Sequence, residues 1–275
     1  MTTETIEYSQ VRLEVDGGLA TIVLDNPERL NAMSGDMVLG VLAALQEVGK
    51  PRRAIRCLML TGEGRGFCSG ANLGGGRASR DQPQEGAPRN LPPLGAVETA
   101  FHPLVRRLRD VQVPVVAAVN GPCVGFGLAM ALTADHIIAS EEGYFLVPFR
   151  DLASCVDSGL SWALPRAVGI NRARQMIMRA KRVDAATAMA WGLVAETAPA
   201  AEFRAAARRV ADEFASGPTV ALGVMRRLIM DADRRSFDEQ LEAELKGVAV
   251  TSRTKDNVAA ISLFGSKTKP AFTGR

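Results

Sequence analysis

A chain of 275 residues, 47% hydrophobic and 23% charged, holds enough apolar material for a sizeable core and carries an ordinary charge content. Its net charge of only +3 leaves no electrostatic footprint for nucleic acid, and no run of about eighteen uncharged apolar residues marks a membrane span. Four scattered cysteines and two histidines fit neither a disulfide framework nor a metal site, and with the polar start Met1-Thr2-Thr3-Glu4-Thr5 they predict a reducing, cytoplasmic setting.

Val11 to Val15 and Leu19 to Leu24 flank Asp16-Gly17-Gly18 and predict a hairpin. A loop from Asn26 to Met33 follows. Ser34 is the expected N-cap of a helix through Val48, with Met37, Val38, Val41, Leu42 and Leu45 on one side. Ile55 to Leu60 reads as a buried strand that ends in the glycine-rich run Gly62 to Leu73. From residue 74 to 94 the composition turns to Gly, Pro, Arg, Asp and Gln, which predicts a flexible insert. A helix from Ala96 to Arg109 leads into Val115 to Val119, a β-branched run expected to be buried on both faces. Asn120-Gly121-Pro122 breaks that strand, Gly125 and Gly127 allow close main-chain approach, and a small-residue helix starts near Leu128.

Strands are expected near His136–Ala139 and Tyr144–Val147. Asp184 is a predicted N-cap and Gly192 a helix stop, and the last strand signal lies near Leu193–Glu196. Four helical patterns, near Ala200–Ala215, Val220–Ala232, Phe237–Val250 and Asp256–Phe264, complete the chain. The order predicts an α/β core over residues 1–198 and a helical region over 199–275. Met176, Met178, Met189, Met225 and Met230, at helical spacings, are expected in the core. Asp135 is expected to be structural, the Glu141-Glu142 pair exposed, His136 packed, and His102 a helix-start residue.

Two glycine-rich strand ends, Gly70–Leu73 and Gly125–Gly127, can aim backbone N–H groups at one oxygen that becomes anionic during a reaction. Neither is followed by Gly-Lys-Ser/Thr, and neither forms a dinucleotide fingerprint with an acidic ribose ligand about twenty residues on.

Together these segments resemble the crotonase (enoyl-CoA hydratase/isomerase) superfamily. Asn26-Pro27 with Asn31-Ala32-Met33 is similar to the family's first CoA-contacting loop. Gly66-Phe67-Cys68-Ser69-Gly70-Ala71-Asn72-Leu73 resembles its Phe-Cys-Ala-Gly-Ala-Asp-Leu segment, and Val119 to Gly127 resembles its second glycine-rich turn. Arg166-Ala167-Val168-Gly169 and Phe264 to Phe272 match further along. The resemblance implies a ββα spiral core and a C-terminal helical trimerisation region. It also implies an acyl-CoA thioester substrate, no cofactor apart from the coenzyme A of that substrate, and a homotrimer or dimer of trimers.

By this resemblance the N–H groups of Ala71 and Phe126 form an oxyanion hole, with Phe126 standing where many relatives have Gly. Arg29, Leu30, Ala32, Ser69, Gly70, Asn72, Leu73 and Gly125 are implied to line the CoA and thioester path, Asn72 replacing the usual Asp. Phe149 and Trp162 are implied among the substrate-binding residues, as an apolar surround that would make Asp157, the acid considered below, a better base. Lys267, Lys269 and Phe272 read either as a plain charged tail or, by the resemblance, as a tail that contacts CoA phosphate and adenine, often across a subunit boundary.

A hydratase of this family uses two glutamates. Ungapped register places Ala129 and Phe149 at those positions, and neither side chain can move a proton. Asp157 stands eight residues after Phe149, where isomerase branches carry their acid. Its surroundings are similar to the Pro-Asp-Ser-Gly-Gly-Ser-Trp segment of epoxyphenylacetyl-CoA isomerases. The same residue would also suit a helix N-cap. The implied activity is isomerisation of an enoyl-CoA double bond by one aspartate base. Two alternatives are hydration with atypical water activation and a non-catalytic acyl-CoA-binding role.

Overall fold

The computed structural model describes residues 3–72 and 97–275. Leu73 and the 74–94 insert lie outside the described residues. Strands β1 (Glu4–Tyr8), β2 (Val11–Asp16) and β3 (Leu19–Leu24) form an antiparallel meander whose second half is the predicted hairpin. The sequence reading missed β1, because Glu-Thr-Ile-Glu-Tyr is a half-exposed edge strand with little apolar signal. Helix α1 (Gly35–Val48) starts where expected, with Ser34 Oγ accepting from the Met37 N–H at 3.1 Å.

Strand β4 (Cys57–Gly62) begins two residues later than predicted. One π-helical turn at Val97–Phe101 leads into α2 (His102–Arg109). Then come β5 (Val115–Val119), β6 (Pro122–Val124) and α3 (Phe126–Ala131). The sequence reading took β6 for part of a turn. Strands β7 (His136–Ser140) and β8 (Tyr144–Leu146) precede α4 (Leu160–Val168) and α5 (Ile170–Arg179). Two-residue β9 (Val183–Asp184), α6 (Ala185–Ala190) and β10 (Glu196–Ala198) end the strand-bearing part. Asp184 caps α6 as expected, accepting from the Thr187 N–H at 2.7 Å.

One sheet has the order β1-β2-β3-β4-β5-β7-β10, parallel from β3 onward, and a second has the order β6-β8-β9. Every residue of β3 and of β5 is buried, as a strand covered on both faces requires. On one face lies the main core with α1, α2 and α3. On the other, Leu19, Cys57, Val116 and Ile138 meet Phe203, Ala207 and Val210 of α7 (Phe203–Ser216).

Helices α8 (Thr219–Asp231), α9 (Phe237–Thr251) and α10 (Lys255–Ser262) finish the chain. Arg226 of α8 is 4% exposed and docks that helix on the core. Its guanidinium binds Asp135 Oδ1 and the carbonyls of Leu108, Val111 and Thr133 at 2.5–3.1 Å. Asp135 is structural, as expected, and also accepts from the Val115 N–H. Asp256 of α10 clips the tail by accepting from the N–H groups of Thr273 and Gly274.

These last helices leave Ile229, Phe237, Leu245, Val248, Ile261 and Phe264 exposed. The methionine expectation is corrected here. Met176 is buried, but Met178, Met189 and Met225 are exposed, because they face away from the core on their helices.

Candidate active site

Two asparagines shape the loops at the C-terminal ends of the parallel strands. Leu30 and Asn31 adopt left-handed conformations, with φ of 50° and 57°. Asn31 is fully buried. Its amide donates to the Gly66 and Glu63 carbonyls at 2.7 and 3.0 Å, and its Oδ1 accepts from the Asn26 N–H at 2.8 Å. Asn120 donates to the Gly64 and Gly66 carbonyls from the other side. A Cβ on Gly121 would stand 2.1 Å from the Arg65 carbonyl oxygen, so only glycine lets these turns nest.

A ladder of main-chain bonds then joins three segments. Ser69 N–H donates to the Leu30 carbonyl, Met33 N–H to Gly70, and Asn72 N–H to Met33. Ser69 Oγ donates to the Arg29 carbonyl at 3.1 Å. On the far side, Cys68 N–H donates to Pro122, Val124 N–H to Cys68, and Gly125 N–H to Leu146. Arg29, Leu30, Ala32, Ser69, Gly70, Asn72 and Gly125 are thereby gathered on adjoining segments. The Arg29 side chain is exposed, and its carbonyl does the tethering.

Ala71 and Phe126 follow two segments that are held side by side. Cys68 and Cys123 form a parallel bridge, and each of the two residues lies three positions further on. A Cβ on Gly125 would stand 4.0 Å from Gly70 Cα and 3.8 Å from the Phe149 ring, so Phe149 borders this junction. Gly125 has φ 52° and ψ −114°, and Gly70 has φ 97°, conformations that favour glycine. Among the described residues, neither the Ala71 N–H nor the Phe126 N–H donates to an acceptor. The Phe126 side chain turns inward, 2% exposed, with its ring 4.4 Å from that of Phe101. Phenylalanine in place of glycine therefore leaves the main chain at the junction unobstructed.

Ala129 is buried in α3, and Phe149 lies on a short 3-10 turn at Pro148–Arg150, so neither position offers a carboxylate. Asp157 is half-buried and its side chain does not cap a helix. Gly159, with φ 81°, is the N-cap of α4. Instead, Asp157 Oδ1 accepts from Ser158 Oγ at 2.8 Å, while the Ser158 N–H donates to His102 Nε2 at 3.3 Å. His102 is the first residue of α2, as expected, but its contact with Ser158 joins residues far apart in the chain and had no signal in the sequence.

Trp162 is sandwiched by the guanidiniums of Arg109 and Arg166, at 4.7 and 4.1 Å from its ring centroid. It borders a cavity of about 180 Å³ together with Ala129, Leu132, Ser158 and Gly159. A larger groove of about 760 Å³ lies on the other side of the main sheet, against α7. Much of its charge is already paired, Arg12 with Asp25 and Glu63, and Arg208 with Asp16 and Asp212.

Lys269 and Phe272 do not reach the junction within the chain. The Phe272 carbonyl accepts from Arg56, which immediately precedes β4. The junction lies beyond Gly62 at the other end of that strand, roughly 20 Å away for six extended residues.

Cys57, Cys68 and Cys123 are buried and Cys155 is exposed. Desolvation pushes the Cys68 thiol up to about 12 and raises that of Cys123 as well. His136 is packed as expected, its basicity lowered first by burial, with Nε2 3.8 Å from Glu196. No group of three or more His, Cys, Asp or Glu able to hold a metal occurs among the described residues.

Comparison with known proteins places the chain in context. Residues 14–275 match the family described as enoyl-CoA hydratase/isomerase. The chain is 34% identical to the 1,2-epoxyphenylacetyl-CoA isomerase of Escherichia coli, over 95% of this chain and 97% of that one. It is also 34% identical to a protein of Rhodobacter capsulatus provisionally named an enoyl-CoA hydratase, over 98% and 100% of the two chains. A crystal structure from Mycobacterium abscessus, provisionally named an enoyl-CoA hydratase/isomerase, superposes with a TM-score of 0.87. It shares 35% identity and covers 96% of this chain and 100% of its own.

Proposed function

The chain belongs to the enoyl-CoA hydratase/isomerase (crotonase) family, and within it we propose an enoyl-CoA double-bond isomerase that works with one aspartate base. The observation that carries this reading is the pair of open N–H groups at Ala71 and Phe126, on segments joined by the Cys68–Cys123 bridge, together with the Asp157 carboxylate, whose hydrogen-bond partner Ser158 shares a cavity with Ala129, three residues after Phe126. The thioester oxygen accepts from both N–H groups. As C2 loses its proton to Asp157, negative charge moves onto that oxygen and the dienolate is held by two main-chain donors, each contributing about 3 kcal/mol. Asp157 then returns the proton at C4, so the double bond moves and no atom is gained or lost. Ala129 and Phe149 supply no second acid for adding water, which separates this reading from hydration.

The segment from Arg29 to Ala32, with Ser69, Gly70, Asn72 and Gly125, forms the CoA and thioester path, and Phe149 and Trp162 stand toward the acyl end. Lys269 and Phe272 act on a neighbouring subunit's CoA. The exposed apolar side chains of α8, α9 and α10 support a trimer in which they cover one another.

The experiment is solvent deuterium exchange on a 3-enoyl-CoA, read at C2 and C4 by mass spectrometry or NMR. Exchange at both carbons is expected. A bound substrate that exchanges at neither carbon and is not converted sinks the proposal in favour of a binding protein, whereas accumulation of a 3-hydroxyacyl product favours a hydratase.

A further inference from the structure

We propose that His102 and Ser158 are positioning residues, which fix where the Asp157 carboxylate stands relative to the N–H groups of Ala71 and Phe126. This inference rests on the isomerase reading above. The peptide unit joining Asp157 to Ser158 is pinned at both ends. Its N–H donates to His102 Nε2 at 3.3 Å, and its carbonyl accepts from the Leu160 N–H at 3.0 Å. The side chain is pinned as well, because Ser158 Oγ donates to Asp157 Oδ1 at 2.8 Å.

Ser158 is 3% exposed and left-handed, with φ 55°, a conformation that residues other than glycine hold only where their surroundings enforce it. Upstream, residues 150–155 are all exposed and held by main-chain turn bonds such as Ser154 N–H to the Phe149 carbonyl, and Val156 packs against the core. The carboxylate of Asp157 itself is held by the clamp that follows it.

His102 ties this clamp to the other half of the chemistry. The preceding residue, Phe101, packs its ring against Phe126, whose N–H is one of the two donors. One dipeptide therefore abuts both the donor side and the base side, and its backbone sets the distance between them. An accepting Nε2 is essential to the device. Glutamine at 102 can still accept through its amide oxygen, whereas phenylalanine fills the same space and cannot.

The test compares His102→Phe, His102→Gln and Ser158→Gly with Asp157→Asn, measuring kcat, KM and C2 deuterium exchange on a 3-enoyl-CoA. His102→Phe is expected to lower kcat by about 100-fold with KM within about twofold, the signature of a displaced base. His102→Gln is expected to recover to within about fivefold of wild type. Ser158→Gly suits a φ of 55° and is expected to fold at least as stably, yet to lose about tenfold in kcat.

Wild-type kcat in His102→Phe and Ser158→Gly, while Asp157→Asn abolishes exchange, overturns the positioning role and leaves the base assignment standing. Equal losses in His102→Gln and His102→Phe overturn the accepting hydrogen bond. Exchange that persists in Asp157→Asn overturns both readings. Should His102→Phe fail to fold, Ser158→Gly decides, because a purely structural role predicts no loss of kcat there.

Discussion

The segments that carry the paired N–H groups and the segment that carries Asp157 are held by different means. The first are woven into the body of the protein. Met33 is bonded to Gly70, Cys68 to Pro122 and Val124, and Gly125 to Leu146, while two asparagines fasten the turns beneath. The second is a surface excursion, exposed from Arg150 to Cys155 and held there mainly by its own turn bonds, before Val156 packs on the core and Asp157 and Ser158 take up side-chain contacts. The N–H pair is thus a product of the whole ladder, and any chain that folds this way acquires it. The carboxylate stands on a segment that can change without unravelling a strand. On the function proposed above, the ladder serves the thioester oxygen and a few side chains carry the proton chemistry.

The comparison can be broken or sharpened by substitution. The largest effect is expected at Asp157→Asn, which keeps the shape and removes the base. We expect kcat on a 3-enoyl-CoA to fall about a thousandfold with Tm unchanged. Activity within a few-fold of wild type would dissolve the distinction between the two regions.

Gly125→Ala comes next, since a side chain there meets a backbone with φ 52° and ψ −114°. Misplacing the Phe126 N–H is expected to lower kcat by roughly 100-fold or more. Unlike Asp157→Asn, it is also expected to lower stability by about 1–3 kcal/mol, read by denaturant melts. Asn31→Ala removes partners from the Gly66 and Glu63 carbonyls and the Asn26 N–H, so about 3 kcal/mol of stability should go. Leu152→Ala, on the exposed excursion, should shift stability by less than about 0.5 kcal/mol. A loss there as large as that of Asn31→Ala would show the excursion to be as firmly held as the ladder.

Legibility in the sequence follows the range of the forces involved. Ser34 and Asp184 could be read as caps because each side chain bonds a backbone N–H three residues on. The strands buried on both faces announced themselves by β-branched runs. Strand β1 did not, because an edge strand needs only one apolar side, and β6 did not, because three residues next to Gly121 look like a turn. The N–H pair could be anticipated from glycines and family resemblance, but its register depends on the Cys68–Cys123 bridge. Asp157 had two readings of equal chemical sense, base and helix cap. Gly159 takes the cap position itself, which removes the second reading and leaves the first as the proposal made above. The His102–Ser158 contact was beyond reach, since nothing local in either segment requires it.

The distribution of cysteines has a practical consequence. Three thiols are sealed in the interior, and the fourth, Cys155, is exposed two residues before Asp157. In native buffer a maleimide should attach once per chain, and four times after unfolding, as counted by intact mass. The unaltered protein therefore has a single addressable handle on the exposed 150–155 segment. A fluorophore placed there would report movement of the base when an acyl-CoA binds, without waiting for turnover.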